Sequence, residues 1–141
     1  MPPYLLVRCT EHVLGIPIER VIETMRPPRV EAVPHAPAWL AGTAMIRGEA
    51  TAVLALGVLL QLRTRTPARL VMVRLATRRV GVLVDTVDRV ARLENVAALS
   101  GLLPFVDAGV VSHLSQKDGE LVSLLDVVRL VSEERLSEAL A

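Results

Sequence analysis

Three histidines, one cysteine and two closely spaced aspartates are the side chains of this 141-residue chain most able to do chemistry unaided. His12, His35 and His113 are scattered without metal-ligand spacing, and Cys9, the only cysteine, cannot complete a zinc site, so no metal site is expected. No serine lies in a Gly-x-Ser-x-Gly elbow, and Ser100-Gly101 has no partner suggested by the sequence. A Gly-rich phosphate loop and a dinucleotide fingerprint are both missing, so no cofactor is expected. Asp85 and Asp88 stand three residues apart, which on a strand points them to opposite faces and rules out an acid/base dyad. No catalytic residue and no small-molecule substrate follow, and the chain reads as a non-enzyme.

Arginine remains, and its chemistry is recognition. Arg63, Arg65, Arg69, Arg78 and Arg79 could gather where a polar connector meets a central hairpin, as in barrels that hold nucleic acid. Such folds stack bases on aromatic platforms, and here single Tyr, Trp and Phe residues lie far apart, so a solvated face is the favoured reading. Arg47 has a more distinctive setting. It closes the stretch 33–48, which holds the only Trp, two prolines and two glycines. Pro34 and Pro37 fix φ and hold the preceding residues extended, so the stretch reads as a stiff loop and not as an element. Trp39 can anchor it, because an indole removes roughly 150–250 Å² from water. Arg47-Gly48 would then present one planar donor fork on a tight turn.

Composition bounds the scaffold that must position this loop. One domain, residues 1–141, is the natural expectation at this length. The chain is 52% hydrophobic but only 2% aromatic, so the core must be packed from Val, Leu, Ile and Ala. The longest apolar stretch, residues 50–62, is interrupted by Thr51, Gly57 and Gln61 and falls short of a membrane span; no basic leader precedes it, and a cytoplasmic location is expected. Net charge is +1, which argues against a protein built to hold polyanions. Cys9, in an apolar alternation, reads as a buried structural thiol.

No internal repeat is evident. Strands are expected at residues 4–9, 13–18 and 51–54, with a helical turn at 19–25 and a short apolar helix at 58–62. Residues 68–75 and 80–85 are nearly continuous in aliphatics, which implies strands covered on both faces. Residues 64–67 form the most polar connector, and 94–107 read as loop. Lys117-Asp118-Gly119 between apolar runs is a hairpin signal, and Asp126 can cap a final helix that turns Val127, Leu130 and Val131 to the core. Many short strands with regular turns indicate an all-β barrel architecture.

The pattern Val33-Pro34-x-x-Pro37-x-Trp39-Leu40-x-Gly42-x-x-x-x-Arg47-Gly48 resembles the CheW-like adaptor domains of bacterial chemosensory systems. The likeness continues in order through residues 18–28, 70–73, 80–88, 109–111 and 119–126. It implies two intertwined five-stranded SH3-like barrels with short helices and a C-terminal helix, one domain of two subdomains with a groove between them. The function implied is a scaffold binding the cytoplasmic signalling tip of a chemoreceptor, with a CheA-type histidine kinase regulatory domain and other CheW-like adaptors as further partners, in arrays and without membrane insertion. Carried over by position, Val21, Glu23, Arg47 and Gly48 face the receptor, and Trp39 and Gly42 anchor the loop. Val21 is also readable as core, Glu23 as a solvated residue, and Arg47 as a donor to its own loop. Met45, Ala52 and Ala55 depart from the Asn, Pro and Asp usual in the family. Met45 and Ala55 would remove polar groups beside Arg47, leave it less pre-organised and weaken kinase contact.

Overall fold

Aliphatic runs with no polar alternation need cover on both faces, and the architecture supplies it. The computed structural model describes residues 2–63, 67–94, 97–98 and 110–141, so the connector around 64–66, most of the 94–107 loop, Arg65, Ser100 and Gly101 lie outside the described residues. In chain order the strands are β1 (Pro3–Cys9), β2 (His12–Pro17), β3 (Val21–Met25), β4 (Leu40–Ile46), β5 (Glu49–Ala55), β6 (Arg69–Arg74), β7 (Arg79–Val84), β8 (Thr86–Arg92), β9 (Ala97–Ala98), β10 (Val111–Lys117) and β11 (Glu120–Leu125). Among the described residues two helices accompany them, α1 (Leu56–Leu59) and α2 (Glu133–Leu140), with 3-10 turns at Ile18–Arg20 and Val127–Arg129. The fold is thus all-β, as expected.

The strands form two sheets, ordered β8-β1-β2-β11-β10-β9 and β3-β6-β7-β5-β4. Both ends of the chain build the first sheet, subdomain 1, and its middle builds the second, subdomain 2. Val71, Val73, Val80 and Val82 meet Leu5, Val7, Leu14 and Ile16 in a central cluster shared by both sheets. The alternate residues Leu70 and Met72 pack with Ile46 and Val53 inside subdomain 2, while Leu6, Leu124 and Val122 do the same inside subdomain 1. The central strands β1, β2, β6 and β7 therefore bury both their faces.

The two sheets share one plan. In subdomain 2 the hairpin β4–β5 joins the hairpin β6–β7 through the parallel pair β5–β7, and β3 flanks β6. In subdomain 1 the hairpin β10–β11 joins β1–β2 through the parallel pair β11–β2, and β8 flanks β1. Bulges fall at matching places, between Leu40 and Gly42 and between Val111 and His113, and again where β3 lies on β6 and β8 on β1. A returning segment closes each sheet on its far edge: Glu31 bridges Thr43 on β4, and β9 pairs with β10. The sixth strand of the larger sheet is this closing segment, so each subdomain is a five-stranded, barrel-like unit. Subdomain 2 runs β3 to β7 in order. Subdomain 1 runs β8, β10 and β11, then takes β1 and β2 from the other end of the chain. One plan is used twice, the second time cut open between its hairpins.

Four local expectations are corrected. Residues 33–48 are not loop throughout: turns at Val33–Ala36 and Pro37–Leu40 give way to β4, because Leu40, Ala44 and Ile46 alternate inward on the barrel wall. The helical turn expected at 19–25 is a 3-10 turn followed by β3, since Ile22 and Met25 pack inside subdomain 2 and Val21 on the central cluster, which a helix face could not do. The apolar helix begins two residues earlier, at Leu56. Ser132, not Asp126, caps the final helix, its Oγ accepting from Arg135 N–H at 3.0 Å; Asp126 precedes a 3-10 turn and makes no side-chain cap. Val127, Leu130 and Val131 are buried as expected.

Candidate recognition tip on the second subdomain

The turn between β4 and β5 is two residues long, and both take positive φ, 55° at Arg47 and 79° at Gly48. This is the combination a hairpin turn matched to strand twist requires. Glycine accepts it freely, whereas Arg47 is held in a region that L side chains avoid. The tip is secured from across the barrel. Arg47 Nε donates to Glu23 Oε2 at 3.0 Å and Nη2 donates to Glu23 Oε1 at 2.7 Å, a bidentate fork. Since β3 and β4 are the two edges of the five-stranded sheet, this pair and the Glu31–Thr43 backbone bridge together close subdomain 2.

The arginine remains displayed. Its side chain is 70% exposed against 28% for Glu23, and the fork uses two of the five N–H donors a guanidinium carries. The hydrogen bond from Arg47 holds the Glu23 carboxyl below the ordinary carboxylate range, and Arg79 adds to the effect. Glu23 in turn raises the guanidinium pKa further. A second pair, Arg79 to Glu49 at 2.6 Å, extends the charge network along the same end of the barrel.

Among the positions carried over from the resemblance, Glu23, Arg47 and Gly48 come together, across twenty-four residues of chain between the two charges. Val21 is drawn away: the bulge after it leaves Ile22 without a partner, and Val21 lies half-buried against the central cluster. Trp39 is packed, 9% exposed, with its carbonyl accepting from Ala55 N–H at 2.8 Å and the Arg135 guanidinium 5.3 Å from its ring centroid. Gly42 anchors by absence of bulk: a Cβ there would lie 2.1 Å from the Glu31 carbonyl oxygen, where the closing segment crosses β4.

The three departure positions separate. Met45 sits two residues before the tip, 67% exposed, and with Pro28, Arg29 and Ala50 lines a shallow cleft of about 360 Å³. Ala52 is buried in the central cluster. Ala55 ends β5, at the far end of the strand from the tip, roughly 20 Å or more away at the rise of a strand. It cannot support the Arg47 rotamer, and Glu23 supplies that support instead. The arginines thought to cluster are also spent separately: Arg78 pairs with Glu133, Arg79 with Glu49, and Arg69 Nη2 donates to Thr24.

One feature escaped sequence reasoning. By the shared plan, Arg89 on β8 matches Glu23 on β3, and Asp118 in the β10–β11 turn matches Arg47; these two also form an ion pair, with the signs exchanged. Asp118 and Gly119 take φ of 51° and 82°, matching the other tip. The Asp-Gly turn was visible in the sequence, but its tie to Arg89 was not.

A family model described as "CheW-like domain" matches residues 3–135. No curated protein matches the chain in sequence. Among solved structures, the chain is similar to the crystal structure of scaffolding protein TtCheW from Thermoanaerobacter tengcongensis, at 19% identity and a TM-score of 0.85, over 94% of this chain and 89% of that one.

Proposed function

This chain belongs to the CheW-like domain family, and from that premise we propose that it is a non-enzymatic adaptor of a bacterial chemosensory array, docking on the helical signalling tip of a chemoreceptor. The observation that carries this reading is the Glu23–Arg47 fork on an exposed hairpin tip. A guanidinium already oriented by a carboxylate loses little further rotamer freedom on binding, so its free N–H groups can engage helix-end carbonyls or a carboxylate at reduced entropic cost. Beside it, the exposed thioether of Met45 and the ring of Pro28 offer an apolar shelf for a helix face, and Met adapts its shape to such contacts. Glu23 contributes a rim charge that discriminates among partners.

Within this reading, the exposed Met45 where the family usually has Asn weakens polar contact with a CheA-type histidine kinase, so the chain modulates receptor–kinase coupling more than it enforces it. A full coupling role with both partners is the second reading, and the intact fork favours it, since Arg47 keeps a defined rotamer. Association with other CheW-like adaptors and a cytoplasmic, array-bound location belong to the same proposal. In support of the location, no helix among the described residues is long and apolar enough to cross a membrane.

The test mixes the purified chain with a receptor signalling tip and, separately, with the kinase regulatory domain. Receptor-tip binding that falls at least tenfold in Arg47→Glu supports the proposal. Absence of binding to either partner removes it. Kinase stimulation in a reconstituted receptor mixture would select the second reading over the first.

A further inference from the structure

The shared plan allows the two subdomains to be compared position by position, and one place breaks the match. In subdomain 2 the β6–β7 turn and the start of β5 flank a cleft of about 300 Å³ lined by Glu49, Ala50, Thr77 and Arg78. The chain's own helix reaches this rim: Glu133, the first residue of α2, accepts from Thr77 Oγ1 at 3.0 Å and pairs with Arg78 at 3.6 Å. The matching place in subdomain 1 lies between the β1–β2 turn and the start of β11. There the cleft is about 400 Å³, and Glu11, His12, Glu120 and Leu121 stand where subdomain 2 has Thr77, Arg78, Glu49 and Ala50.

Two differences follow from those replacements. The second cleft is apolar: Leu14 and Leu60 form its floor, Leu62 and Leu114 its half-buried walls, and Leu121 stands 59% exposed at its edge. Its rim charge is also reversed. Where Thr77 and Arg78 receive an acidic side chain from α2, the matching turn offers the Glu11 carboxylate; Glu120 across the cleft matches Glu49 and is already held by Arg8 at 2.8 Å.

From this we infer that the cleft of subdomain 1 is a docking site for a short amphipathic helix of another protein, presenting aliphatic side chains to Leu121 and Leu114 and a lysine or arginine to Glu11. The occupant's form is set by the molecule's own precedent, a helix end seated on the equivalent rim. Its charge is set by complementarity to Glu11. Its apolar face is set by Leu121, an exposed leucine on a strand whose counterpart is alanine. The site uses none of the residues of the Glu23–Arg47 tip, so it stands whether or not that tip binds a receptor.

A displayed library of 16-residue amphipathic helices with randomised charges, selected against the intact chain, tests the inference. Enriched helices should carry Lys or Arg beside an aliphatic stripe. Their affinity should fall about tenfold or more in Leu121→Thr, which keeps strand propensity while removing the apolar edge. Glu11→Lys should shift selection toward acidic helices, whereas the same charge change at exposed Glu138→Lys on α2 should not. Melting temperatures of the three variants near that of the parent confirm that the fold is retained. Helices that bind Leu121→Thr as well as the parent, a selection indifferent to the charge at position 11, or no enrichment at all would each overturn it.

Discussion

Arg47 occupies a left-handed backbone position that asparagine or glycine would take with less strain, and it does so with its side chain largely exposed. A residue kept against its backbone preference is kept for its side chain. Arg47→Asn relieves that backbone but gives up the fork to Glu23, so the melting temperature should stay within about 2 °C of the parent while receptor-tip binding is abolished, which differential scanning fluorimetry and a binding titration can read together. Cys9 gives the opposite kind of residue, silent in function and informative about the core. Burial, with the nearby Asp85 charge adding to it, pushes its thiol pKa from 9.0 up to about 12. The unfolded chain then releases the Cys9 proton at lower pH than the folded one, so this contribution is complete below pH 9 and is lost as pH rises toward 12. By pH 10.5 the parent should have lost roughly 2 kcal/mol from this group, and its stability advantage over Cys9→Ala should shrink by about that amount between pH 8 and 10.5 in urea titrations. The burial of Cys9 could be read from its apolar neighbours. The Glu23–Arg47 fork could not be read from local pattern, because no local rule relates residues on opposite edges of a sheet; only the family resemblance placed them together.

At the scale of elements, what could be read was whatever periodicity or turn chemistry decides locally. The aliphatic runs of β6 and β7 and the Asp-Gly turn each dictate their own geometry, and each expectation held. The misses share a physical cause. Residues 19–25 carry a spacing that suits a helix, yet the strand wins because β6 offers ladder partners and two hydrophobic clusters to fill. β4 was hidden for a related reason: its prolines and glycines signal loop, but they lie before and after the strand or at a crossing point within it. Gly42 is that crossing point. The Glu31 N–H and C=O both bond to Thr43 at 2.8 Å, and the backbone passes where a Cβ at position 42 would stand. Gly42→Ala should force the closing segment off β4 and cost about 3 kcal/mol. Gly48→Ala meets open space and bears only the left-handed backbone penalty, about 1 kcal/mol. Urea unfolding of the two variants side by side would check the contrast; equal costs would mean that the crossing is not what fixes β4.

For the whole molecule, the permuted use of one barrel plan explains why the two halves depend on each other. Side chains at matching positions differ in charge and size, and the offset between matched residues changes along the chain, from that of Glu23 and Arg89 to that of Arg47 and Asp118, so the likeness does not show as a repeat. The same topology threads subdomain 2 between the strands of subdomain 1, and the central cluster draws on both sheets. α2 tightens the link. It follows β11 of subdomain 1, yet Glu133 holds the β6–β7 turn, Arg135 lies over Trp39, and Leu136 is fully buried in the central cluster. Neither half keeps a complete core without the other, so unfolding should be a single cooperative event. Leu136→Ala removes a buried side chain from the shared cluster and should cost about 2–5 kcal/mol. If the halves are one unit, Trp39 fluorescence, reporting on the subdomain 2 loop, and far-UV circular dichroism, reporting on both sheets, will shift together to a lower denaturant midpoint in this variant. Were subdomain 1 to unfold on its own, the dichroism transition would move ahead of the fluorescence and the two curves would part, because Trp39 would still stand on an intact subdomain 2.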